Sequence, residues 1–227
     1  MNAVPATCNI STRMGFNCKW LLGMIMITVI ALGWRFPLLG FVVPGAMGVG
    51  VLGGFFRGRW VCGNACPRGS FLDTWFNLVS GKREIPTFLR RAKFRWAVLS
   101  ILMSFMVFRL SQKPESIDHW GIVFWQMCLI TTIVALGLGL RYSARGWCSL
   151  CPVGTMAGTA GGDKHPLQVS AACEACGLCE DSCPMQLEIA CYRHTGNLEE
   201  KDCLKCSTCI KTCPRDNVLS WPSKEAA

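Results

Sequence analysis

One cysteine spacing occurs twice near the end of the 227-residue chain, as Cys173, Cys176, Cys179, Cys183-Pro184 and again as Cys203, Cys206, Cys209, Cys213-Pro214. Nothing else in the sequence restricts the fold so strongly. C-x2-C-x2-C-x3-C-P is the ligand run of paired [4Fe-4S] cubes, in which three near thiolates take three corners and the fourth crosses to the other cluster. That rule assigns Cys173, Cys176, Cys179 and Cys213 to cluster 1, and Cys203, Cys206, Cys209 and Cys183 to cluster 2. Zinc also takes thiolate quartets, but its sites use paired cysteines, not a triplet with a remote Cys-Pro. Two [4Fe-4S] clusters, with iron held through these cysteines, are expected.

The chain holds sixteen cysteines, 51% hydrophobic residues and only 16% charged ones, where a soluble domain carries roughly 25% charged. Much of it is expected to lie in lipid, and thiolate ligands place the cluster-bearing part on a reducing side. Net charge is +9, divided unevenly: residues 1–162 carry +12 and residues 163–227 carry −3. The positive charge sits beside apolar runs, where it orients a chain in a membrane rather than binding nucleic acid. The first apolar run is not closed by a cleavage-type motif and reads as an anchor.

Four apolar runs follow in order: Trp20 to Trp34, Leu38 to Phe56, Trp96 to Leu110 and Gly121 to Leu140. Each approaches the 17–25 residues needed to cross a hydrocarbon core. The second is rich in glycine (Gly45, Gly48, Gly50, Gly53, Gly54), which suits close helix packing in lipid. The loop from Arg57 to Arg95 holds nine basic residues, whereas the opposite side carries only Arg35, Arg109 and Lys113. The positive-inside rule therefore puts both termini and the long loop in the cytoplasm. Within that loop Phe71, Leu72, Trp75, Phe76 and Val79 recur at helical spacing and suggest an amphipathic helix on the membrane face. Residues 157–166 read as a linker and Met185–Arg193 as a short helix between the cysteine runs.

A second pair of cysteine sites stands at the ends of the second and fourth runs. The chain reads Gly58-Arg59-Trp60-Val61-Cys62-Gly63-Asn64-Ala65-Cys66-Pro67-Arg68-Gly69, and later Arg145-Gly146-Trp147-Cys148-Ser149-Leu150-Cys151-Pro152-Val153-Gly154. Both have Arg and Trp before the first cysteine and end in Cys-Pro-x-Gly. Such an internal repeat commonly brings corresponding elements together at a pseudo-two-fold interface. Four readings compete for Cys62, Cys66, Cys148 and Cys151: a third cluster, a reversible dithiol couple favoured by nearby arginines, a zinc site, or a stabilised turn.

These turns at the ends of four spans, with the doubled C-terminal run, resemble the membrane polyferredoxin family of the NapH and NosR type. The resemblance covers about Trp20 to Pro214. It implies an electron-relay or quinol-dehydrogenase component of the bacterial inner membrane that acts only with partner redox subunits. Relatives with this architecture also serve in oxidase assembly or as redox-linked regulators. The family pattern carries two C-x3-C-P elements; Cys62/Cys66 matches it, and Cys148/Cys151 is one residue shorter.

The expected protein is mainly α, a four-helix transmembrane bundle with a C-terminal two-[4Fe-4S] ferredoxin-type domain. Its parts are a cytoplasmic segment 1–19, a membrane domain 20–156 with two cytoplasmic Cys-Pro turns, a linker 157–166 and a cluster domain 167–227. Its cofactors are two [4Fe-4S] clusters, with a third cluster and a bound quinone as further candidates. Its partners are membrane lipid, quinone or quinol, and redox subunits of an electron-transfer complex. Only His119, His165 and His194 are present, so transmembrane haems held by histidine pairs are excluded. Asp118 and His119 are candidate proton acceptors in the outer loop. Cys8, Cys18, Cys128 and Cys191 fall outside any ligand spacing.

Overall fold

A computed structural model of the protein describes residues 16–81 and 83–222. Helix α1 (Phe16–Leu32) turns through a single 3-10 segment, Pro37–Phe41, into α2 (Val42–Arg57). Short helices α3 (Trp60–Asn64) and α4 (Pro67–Phe71) follow, and α4 runs on into a π-helical turn, Leu72–Phe76. Then come α5 (Thr87–Arg90), α6 (Ala92–Ser111), α7 (Ile117–Arg141) and α8 (Pro152–Gly161). The remainder is β1 (Gln168–Val169), α9 (Leu178–Asp181), α10 (Thr208–Thr212) and β2 (Leu219–Ser220), with β1 and β2 antiparallel.

Three helical stretches among the described residues are long and apolar enough to cross a membrane: Pro37–Arg57, Ala92–Ser111 and Ile117–Arg141. The expected first span is shorter. Helix α1 has 17 residues, about 26 Å at 1.5 Å per residue, against a hydrocarbon core of about 30 Å. Helix α7 has well-marked ends. Ser116 caps it, its hydroxyl accepting from the His119 amide at 3.3 Å, while Asp118 in the first turn and Arg141 in the last complement the helix dipole.

The α4 stretch departs from the expected surface helix. It is wedged between α1 and α7: Trp75 meets Trp20 edge-on at 4.4 Å, Phe71 and Trp75 lie over Gly23, and Phe76 packs on Gly139. Leu72 is buried, Trp75 keeps part of its ring exposed, and the following Leu78 and Val79 are exposed. Tight packing on both sides outweighs an amphipathic pattern that sequence alone would lay on a lipid surface.

Helix α8 includes Ala157–Gly161, which the sequence suggested as linker. Its small residues serve packing, with Val153, Ala157 and Gly161 against Gly50, Gly54 and the Gly54–Gly58 turn of α2. Gly58 ends α2 with φ +57, and a side chain there would run into the Gly161 carbonyl, so only glycine satisfies both demands. By contrast, Gly45 and Gly48 face open space. Between the cysteine runs only Ala190–Arg193 is helical, as one 3-10 turn.

The C-terminal part folds around Leu167, Val169, Met185, Ile189, Leu198 and Leu219. It is docked on the helices by polar contacts. Arg90 donates to the carbonyls of Met185 and Gln186, and the Ile85 amide donates to Gln186 Oε1 at 2.8 Å. Asp202 is buried between Arg59 (2.7 Å) and Arg95 (2.8 Å).

Candidate metal centres

The doubled run repeats in its backbone as well as its spacing. Ala175 and Lys205, at matching places in the first gap, both have φ 52, and Gly177 and Ser207 in the second gap have φ 79 and 60. These left-handed residues bend each loop, and α9 and α10 begin directly after them.

Two cavities lie against these loops. One is lined by Cys183, Cys203, Cys206 and Cys209 with Met185, Leu187 and Ile189 among its apolar walls. The other is lined by Cys173, Cys176, Cys179 and Cys213 with Leu178 and Val218. Each quartet is the set that the crossing rule selects. Burial pushes Cys179 and Cys203 up to about 11 and Cys209 up to about 12. Such thiols stay protonated at neutral pH unless a cation displaces the proton. No three Cys, His, Asp or Glu side chains among the described residues close to the spacing of a single metal ion. A zinc draws thiolates in to about 2.3 Å, whereas a cube takes one thiolate at each iron corner. The donor set and the apolar walls fit the larger group.

The four remaining motif cysteines also gather. Cys66 caps α4 and Cys151 caps α8, each followed by proline at the first helical position. Cys62 lies within the electrostatic reach of Cys66, Cys151 and Cys148, and Cys66 within that of Cys148 and Cys151. Burial pushes Cys62 up to about 12, although Arg59 pulls the other way; Cys66 is also raised by burial. At Cys62, burial thus outweighs the pull of the neighbouring guanidinium.

Two buried arginines frame this group, 1% and 3% exposed. Arg59 donates to the Cys148 carbonyl and to Asp202, and Arg145 donates to the Cys62 carbonyl at 3.0 Å and to both oxygens of Asp73 at 2.7 Å. Burial alone would raise Asp73; Arg145, with Lys19, more than offsets it and holds this carboxyl below its ordinary value. The acidic partners were not visible in the sequence. The arginines were, since each precedes a tryptophan at the head of its repeat.

Cys62 and Cys148 pack against the C-terminal core, and the Leu204 carbonyl sits directly over Gly63. The third thiol group thus adjoins the loop that carries Cys203 and Cys206. Asp118 is exposed and His119 half-buried at the start of α7, with His119 Nε2 2.9 Å from the Arg109 carbonyl. Cys128 is buried within α7 and Cys191 is exposed beside Glu188. Cys8 and the Cys18 side chain lie outside the described residues.

Comparison with known proteins falls on the same places. The family model described as a 4Fe-4S binding domain matches residues 39–86 and 123–165. These segments hold Cys62/Cys66 and Cys148/Cys151, one pair each, and none of the Cys173–Cys213 run. Thiol groups and match support a likeness to ferredoxin-type iron-sulfur proteins, in a chain with helices long enough to cross a membrane. Within that class the chain is similar to the methylamine utilization ferredoxin-type protein MauN of Paracoccus denitrificans, 30% identical over 168 residues. The match covers 67% of this chain and 56% of MauN, so the chain spans little more than half the length of that relative. Two uncharacterized proteins of Methanocaldococcus jannaschii are 24% and 26% identical, over 82% and 70% of this chain and 78% and 70% of their own lengths. No solved structure matches.

Proposed function

We propose that this protein is an electron-transfer subunit of the bacterial inner membrane that relays electrons between the quinone pool and a partner oxidoreductase. It holds three [4Fe-4S] clusters: one on Cys173, Cys176, Cys179 and Cys213, one on Cys203, Cys206, Cys209 and Cys183, and one on Cys62, Cys66, Cys148 and Cys151. Helix α1 acts as a short fourth pass, its mismatch taken up by local thinning of the bilayer. Both termini and all three clusters then face the cytoplasm, in keeping with the basic loop.

One observation carries this reading: four thiols from two halves of a repeat lie within electrostatic reach of one another at helix ends, beside the Leu204 loop of the cluster domain. The clusters supply one-electron steps, whereas a quinol releases two electrons and two protons. The residues of the chain provide the rest. The Cys-Pro caps fix the thiols at the starts of α4 and α8, Arg59 and Arg145 hold the two turns together, and Asp202 fixes the cluster domain over them. The quinol donates at these helix-end turns, and the partner docks near the exposed Cys176, at the far end of the thiol series.

Anaerobically purified protein is expected to hold about twelve iron and twelve sulfide per chain, four of each per cluster. In proteoliposomes with quinol, all clusters are expected to be reduced. About eight iron per chain refutes the third cluster. Failure of quinol to reduce the protein with its partner present refutes the quinone link.

A further inference from the structure

The two halves of the repeat exchange their arginines. Arg59 belongs to the first half, yet it donates to the carbonyl of Cys148, the first cysteine of the second half. Arg145 belongs to the second half and donates to the carbonyl of Cys62, the first cysteine of the first half. The glycines of the two Cys-Pro-x-Gly turns follow the same exchange. A Cβ on Gly69 would strike the Arg145 guanidinium, and a Cβ on Gly154 would strike that of Arg59. Each Cys-Pro-x-Gly turn is thus a floor shaped for the other half's arginine, which explains glycine at a place where neither backbone needs a positive φ.

The acids are not exchanged symmetrically. Seven residues after Cys66 stands Asp73, the partner of Arg145; seven after Cys151 stands Gly158, which has no side chain to offer. Asp202 of the cluster domain fills that place and pairs with Arg59, while Gly158 lies against the Arg59 methylenes.

Resting on the reading that Cys62, Cys66, Cys148 and Cys151 hold a cluster, we infer that Arg59 and Arg145 are reciprocal positioning residues that raise its reduction potential. A four-thiolate cluster is anionic and gains a further negative charge on reduction. Two guanidinium groups buried beside it stabilise the reduced form more than the oxidised one, because a low local dielectric strengthens the attraction. Asp73 opposes that effect from behind Arg145, and Asp202 from behind Arg59. Removing an arginine and removing its acid must therefore shift the potential in opposite directions, which a purely structural role would not do.

The test is a redox titration of the full chain in nanodiscs, followed by electron paramagnetic resonance, with iron counted in each sample. The two clusters of the Cys173–Cys213 run serve as internal references for the Arg145 pair. Arg145→Gln is expected to lower the midpoint of the helix-end cluster at least tenfold in its reduction equilibrium, about 59 mV for one electron. Asp73→Asn is expected to raise it, and Arg145→Lys to keep most of the native value. Arg59→Gln is expected to act like Arg145→Gln. If Arg145→Gln does not retain the cluster, the sign of the Asp73→Asn shift decides. An unmoved midpoint with about twelve iron per chain overturns this inference alone, as does a shift of the same sign for both members of a pair. About eight iron per chain in the unaltered protein overturns it together with the reading on which it rests.

Discussion

The thiols of the Cys173–Cys213 run are aimed by their own loops, through left-handed residues at matching places. The thiols of the helix-end turns come from segments such as Arg145 and Cys62, 83 positions apart, and are held by buried ion pairs and bare glycines. The first arrangement depends on local backbone and tolerates exposure, as at Cys176; the second depends on the whole helical scaffold. A metal group can thus be specified by spacing or by packing, and the two modes fail differently when altered.

The sharpest way to separate them is to remove ligands. Cys66→Ser together with Cys151→Ser is expected to lower iron from about twelve to about eight per chain while the spectra of the other two clusters persist. Loss of all iron would show that the two regions are one unit. Next in size is Asp202→Ala, which leaves Arg59 and Arg95 buried without their acid. Breaking such a pair costs about 3–5 kcal/mol, and urea unfolding with protease cleavage in residues 162–166 is expected to report a loosened cluster domain.

Gly69→Ala and Gly154→Ala press a methyl group onto a held guanidinium, at about 1–3 kcal/mol each by analogy with overpacked cores. Thermal loss of the helix-end cluster is expected at lower temperature, with the other two unmoved. The smallest effect belongs to Gly45→Ala and Gly48→Ala, whose new methyl groups meet nothing. These are expected to leave iron content unchanged and to stabilise α2 by up to about 1 kcal/mol. A large loss from either would mean that this face of α2 is covered by another chain.

The legibility of the sequence follows the same division. The crossing rule picks out both thiol quartets that line the two cavities, because every residue that shapes those loops lies beside its ligands. The Arg-Trp and Cys-Pro-x-Gly repeat marks the helix-end group, and α2, α6 and α7 follow their apolar runs closely. What sequence does not show depends on distant partners. Asp73 and Asp202 look like any loop acid until Arg145 and Arg59 reach them. Phe71 and Phe76 look amphipathic until α1 packs on the one and α7 on the other. The glycines of α2 look alike, yet Gly50 and Gly54 face α8 while Gly45 and Gly48 face nothing.

One further contact bears on the order in which the protein is made. Arg68, one residue past the Cys66-Pro67 step, reaches α7 near its middle, donating to the Cys128 carbonyl at 3.3 Å and to Thr131 Oγ1 at 2.8 Å, with its plane near the Trp147 ring. An unpartnered arginine within a helix bundle in lipid costs about 2.5–3.5 kcal/mol or more. The ribosome completes α4 long before α7, so the first Cys-Pro turn must wait at the surface until α7 arrives to receive this guanidinium. The newborn chain then seats its first half only after its second half exists.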